Sequence, residues 1–145
     1  MKKTIRRILN IAISCALLLV VMVPMVSAAV QASDFFAFTD VVAIPTGSSN
    51  ITVEAEINAK YIMQEVGVKS ITIYEQQPGG NYLSVKSYTS DNTPSLITQN
   101  SAFSYSSLVY KGISGRNYYV SYVLYAKDSS GSEKLYGSTG VVTAK

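Results

Sequence analysis

From residue 50 onward the chain alternates between apolar and polar residues with a period of two. Asn50 to Ala59 is the clearest stretch. Ile51, Val53, Ala55, Ile57 and Ala59 alternate there with Thr52, Glu54, Glu56 and Asn58. Successive side chains of a strand point to opposite faces, so the first set faces a core and the second faces water. Ser70–Glu75 repeats the pattern with Ile71 and Ile73 inward. Gln77-Pro78-Gly79-Gly80-Asn81 predicts a turn, since proline fixes φ and glycine permits positive φ. Tyr82–Tyr88 then returns as a hairpin partner. Asp91-Asn92-Thr93-Pro94 marks a loop, and Ala102–Tyr110 and Tyr118–Lys127 are two further strands joined by the reversal at 111–115. Asp128–Ser132 predicts a hairpin loop, and Lys134–Thr143 a closing strand. With an early strand at Phe35–Ile44 the count is about seven. The segment Ala59–Val66 fits either one helical turn or a bulged loop. Short strands with turns at such intervals predict an all-β fold, a single antiparallel β-sandwich.

The N-terminus follows a different pattern. Lys2, Lys3, Arg6 and Arg7 precede an apolar run from Ile8 to Val23, which Pro24 breaks before Val26-Ser27-Ala28. A basic head, an apolar middle and small residues at the end are the parts of a secretory signal peptide. Residues 1–28 are therefore expected to form a signal helix, with cleavage after Ala28 or as late as Ala32. The β domain is 33–145. The competing reading is an uncleaved anchor, because 19 apolar-rich residues approach the ~20 needed to span a bilayer. Secretion to the extracellular space is the expectation, with membrane contact only through the signal before cleavage.

Processing alters what composition implies. The full chain carries 12 basic and 9 acidic residues, but four of the basic residues lie in the signal and all the acidic ones follow it. The mature chain would carry 8 − 9 = −1. That leaves no basic footprint for nucleic acid. The single cysteine, Cys15, leaves with the signal, so no disulfide is expected.

The residue inventory excludes much chemistry. The chain has no histidine, which removes a Ser-His-Asp triad and imidazole metal sites. No Ser-x-x-Lys arrangement or glycine-rich phosphate loop is present. Glu54 and Glu56 share a strand face as a glycosidase pair would, though alternation alone explains two outward acids. The loop from Asp128 to Glu133 has calcium-ligand residue types without the twelve-residue spacing, and a hairpin accounts for it. The expectation is no enzyme, no cofactor and no metal site.

The tyrosines stand out. If Val120, Tyr122 and Leu124 face inward, Tyr119, Val123 and Tyr125 face outward. Tyr74 is opposite in parity to Ile71 and Ile73, so it faces outward as well. Tyr74, Tyr119 and Tyr125 are therefore the candidate binding surface. A register shift of one would bury them instead.

The run Gly115-Arg116-Asn117-Tyr118, then Val120, Tyr122, Leu124 and Ala126, then Gly131, resembles the E–F corner and F–G hairpin of fibronectin type III and other immunoglobulin-like domains. The resemblance implies an immunoglobulin-like sandwich in which Tyr118 bonds back to the corner backbone. Over the whole β segment the chain resembles a family of small secreted proteins of Gram-positive, Firmicutes-type bacteria. That likeness rests on Val66-Gly67 before Ile71-Thr72-Ile73-Tyr74, and on Tyr110-Lys111-Gly112 with Gly115 to Tyr119. The family is a domain of unknown function and implies no activity. The leading expectation is a secreted, non-enzymatic binding module for an extracellular protein or glycan. A secreted effector, antimicrobial or inhibitor-like, is the alternative, and a carboxylate hydrolase comes third.

Overall fold

The computed structural model describes residues 33–145. The predicted signal peptide, and with it Cys15, lies outside the described residues. The described chain is antiparallel β almost throughout: β1 (Phe36–Gly47), β2 (Asn50–Gln76), β3 (Tyr82–Thr89), β4 (Ile97–Lys111), β5 (Asn117–Lys127), β6 (Ser132–Ser138) and β7 (Val142–Thr143). A single 3₁₀ turn, Pro94–Leu96, precedes β4.

All seven strands join in one hydrogen-bonded sheet, and β2 is the reason. Its first half pairs with β1 on one side and β4 on the other. Its second half pairs with β3 and β5, and β5 carries β6 and β7 on its far edge. The sheet therefore has an N-terminal lobe, β1-β2-β4, and a C-terminal lobe, β3-β2-β5-β6. It curls so that inward residues of both lobes enter one core. Ile51, Val53 and Ile57 of the first half and Val66, Ile71 and Ile73 of the second are fully buried with Tyr118, Val120 and Leu124. The ring of Tyr110 on β4 meets that of Tyr118 on β5 edge-on at 5.9 Å, which ties the lobes together.

Two differences from the sequence expectation cancel in the strand count. The ambiguous stretch 59–66 is neither a helical turn nor a loop. It stays extended, and register shifts between Asn58 and Met63 and between Val68 and Ser70 absorb the bend. Met63 points into the core while Tyr61 and Ile62 are exposed, which is why periodicity fails there. Conversely, the closing strand divides. Beyond Ser138 the chain leaves β5, with Thr139 N–H donating to Val120 O and Val120 N–H to Thr139 Oγ1. It then returns as β7 beside Asn117 and Tyr118.

Gly67 marks the passage between lobes. It pairs with Ile97 of β4 and with Tyr125 of β5, and its φ is +155°. A Cβ there would overlap the Leu96 carbonyl oxygen. Only glycine lets the backbones approach so closely.

Candidate functional site

The outward face of the C-terminal lobe carries the predicted tyrosines. Tyr74 on β2 is directly opposite Tyr119 on β5. Their rings stack at 4.8 Å and are within 2° of parallel. That separation equals the spacing between neighbouring strands. The rings therefore stand up from the sheet, facing each other, with their edges toward solvent. Tyr82, which opens β3, packs edge-on against Tyr119 at 4.9 Å. Cross-strand aromatic pairs of this kind contribute about 0.5–1 kcal/mol each.

Tyr125 lies on the same face, six positions along β5, so it stands apart from the stack. The Lys69 ammonium sits 5.9 Å from its ring centre. Its β6 neighbour is Lys134, and Val123 beside it pairs with Tyr136, which is 75% exposed. The three predicted tyrosines thus share one face and are half-buried, but they divide into a stacked group and a solitary ring. Tyr82 and Tyr136 are members that parity along single strands did not reveal. Their place on this face follows from cross-strand register.

Tyr118 is inward and fully buried. Its hydroxyl accepts the Ile113 N–H at 2.8 Å and donates to Glu75 Oε2 at 2.6 Å. Glu75 is a buried carboxylate that also receives Arg116 and, at 3.4 Å, the Gln77 amide. The Tyr118 hydroxyl and the Arg116 guanidinium hold the Glu75 carboxyl below its ordinary value. Burial, together with the bond to Glu75, pushes Tyr118 up to about 12. Burial and the same carboxylate raise Tyr110. A carboxylate held as its anion by three donors is a poor proton acceptor, so this cluster is a clasp at the end of the sheet. The sequence contained the signal for it: Glu75 is in phase with Ile71 and Ile73 and so had to face inward. An open pocket beside the clasp, lined by Gln76, Gln77, Pro78, Gly115, Arg116 and Asn117, offers amides and one guanidinium but no nucleophile.

The other carboxylates have ordinary surroundings. Glu54 and Glu56 lie on the outward face of the N-terminal lobe, and Glu56 accepts a bond from Asn58 at 3.2 Å. Asp128 accepts Ser130 N–H and Oγ and Gly131 N–H, and these bonds lower its pKa. Glu133 accepts Ser33 Oγ and Phe35 N–H and pins the start of the domain to β6. Among the described residues no group of three or more acidic side chains is placed to hold a metal ion.

The outward face of β1-β2-β4 differs in kind. Phe38, Ile44, Phe103, Tyr105 and Val109 stand on it exposed, on either side of Glu54 and Glu56, with Asp40 directly opposite Glu56. Sequence reasoning singled out only Glu54 and Glu56 on this face, not the apolar residues around them.

No family model, no curated protein and no solved structure matches the chain.

Proposed function

We propose that this is a secreted, non-enzymatic binding module of immunoglobulin-like build, whose partner is an extracellular protein. The observation that carries the reading is the packing of Tyr74, Tyr82 and Tyr119 on an outward sheet face. Adjoining aromatic side chains on the outward face of a sheet make a surface of the kind that marks an interaction site. Sugar recognition by stacking needs a ring face lying open. Here Tyr74 and Tyr119 turn faces to each other and present edges and hydroxyls, a surface better suited to the mixed apolar and hydrogen-bonding contacts of a protein interface. The immunoglobulin-like reading draws support from the arrangement β1-β2-β4 and β3-β2-β5-β6 around one core and from the bond of Tyr118 to the backbone five residues earlier. Secretion rests on the basic and apolar N-terminal pattern.

The test is capture of partners from the producer's envelope and from neighbouring species. Wild type is compared with the variant Tyr74→Ser/Tyr119→Ser/Tyr125→Ser. The reading expects a retained fold and a lost protein partner. Retention on purified envelope polysaccharide instead would assign a glycan ligand, and full binding by the variant would refute the surface.

A further inference from the structure

The edge of β4 is open. The strand pairs with β2 alone, and from Thr98 to Tyr110 it has no charged residue and no proline. Natural sheets guard exposed edges with such residues. Three other edge strands do so here: β1 carries Asp40 and Pro45, β3 carries Lys86, and β6 carries Glu133 and Lys134, while β7 is only two residues long. Between the irregularity at Asn100 and the terminal Lys111, the run Phe103–Tyr110 carries no such guard, and an edge of that length is an invitation to pair.

The direction of its backbone groups follows from two bonds. Gly112 N–H reaches Ser49 O, so even-numbered residues turn their main chain toward β2. Phe103 N–H and C=O instead bond the Ser101 hydroxyl, so odd-numbered residues turn theirs to the open edge. Tyr105, Ser107 and Val109 therefore offer donors and acceptors outward, while the Ser101 hydroxyl occupies those of Phe103. Three of their side chains are large, apolar and exposed: Phe103 at 47%, Tyr105 at 51% and Val109 at 60%.

We propose that β4 pairs antiparallel with β4 of a second copy, with the two-fold axis at Ser106. In that register Phe103 lies beside Val109 of the partner subunit and Tyr105 beside Ser107 of the partner subunit. Both pairs belong to the hydrogen-bonding set, giving about eight interchain backbone bonds, within the range of a typical interface; at Phe103 the partner strand takes the place of the Ser101 hydroxyl, which turns to solvent. A second copy fits this edge because self-pairing sets no like charges opposite each other. The acidic residues on β2 then lie three strand spacings from those of the partner, roughly 14 Å. That exceeds the Debye length of about 8 Å at physiological ionic strength. The β1-β2-β4 lobes of the two copies then run as six continuous strands, with a closed, isologous interface.

Sedimentation equilibrium on protein produced from the full-length gene tests this. Wild type should dimerise in the micromolar range. Ser107→Lys places a charge on the edge, and Ser107→Pro removes only an outward-facing N–H. Each should weaken association at least about tenfold while the melting temperature holds. If Ser107→Pro fails to fold, Ser107→Lys carries the test alone. A wild type that stays monomeric at its highest soluble concentration, or a dimer untouched by Ser107→Lys, overturns the proposal. The register has its own check in a Cys15→Ser background. Ser106 would face its own counterpart as a non-hydrogen-bonded pair about 4.5 Å apart between Cα atoms, inside disulfide range. Ser106→Cys should therefore cross-link on oxidation and Ser107→Cys should not; equal yields would overturn the register.

Discussion

The two lobes share one core but finish their outward faces differently. On the C-terminal lobe, large side chains cover one another: Tyr74 stacks on Tyr119, and Tyr82 closes against it. On the N-terminal lobe, side chains of similar size stand apart, with Phe38 at 52% exposure across β2 from Phe103. Between them runs the polar row of β2, Thr52, Glu54, Glu56 and Asn58. Alternation produces both faces by one rule. What separates them is the central strand: β2 contributes a tyrosine to one face and carboxylates to the other. An aromatic in the middle gathers its neighbours into a surface, whereas a charge in the middle keeps them apart.

The largest expected effect comes from breaking the passage between lobes. Gly67→Ala forces a Cβ into the Leu96 carbonyl and should cost on the order of 3 kcal/mol or more, measured by denaturant unfolding. Next is the clasp. Glu75→Ala leaves Tyr118 without its acceptor and Arg116 without its partner, and should cost about 3 kcal/mol. Tyr118→Phe keeps the ring and should cost about 1–2 kcal/mol.

The clasp also sets how stability varies with pH. Glu75 has a lowered folded pKa, so its contribution is present above the ordinary carboxylate range and is lost as pH falls through the lowered value. Tyr118 is raised from 10.0 to about 12, so its contribution is complete below the ordinary value and is lost as pH rises through the raised one. Thermal melts should therefore fall on both limbs, and Tyr118→Phe should flatten the alkaline one. The smallest effect sharpens the contrast between faces. Tyr74→Ser should cost about 1 kcal/mol because it breaks a packed pair. Phe38→Ser, at an exposed position, should stay within about 0.5 kcal/mol of wild type.

Much of this was legible in the chain. The alternation of Ile51 to Ala59 and the opposite parity of Tyr74 to Ile73 place core and surface correctly. Those statements need only a local period of two. What the sequence did not disclose depends on register between strands. Tyr82 joins the stack because Gln76 pairs with it beside the Tyr74–Tyr119 pair, and Tyr136 joins Val123 across β6. The bend at 59–66 was hidden because bulges reset parity between Asn58 and Met63. Glu75 was within reach, since its phase was visible, but a carboxylate in a core position makes sense only once Arg116 and Tyr118 are seen beside it.

The account turns on the tyrosine face being a binding surface, and one paired measurement addresses it most directly. Binding to the producer's envelope proteins is compared for Tyr74→Ser/Tyr119→Ser/Tyr125→Ser and for Phe38→Ser/Ile44→Ser, both checked for intact circular dichroism. The account predicts that the first variant loses binding and the second keeps it. Undiminished binding by the first, or its collapse to an unfolded chain, would contradict it.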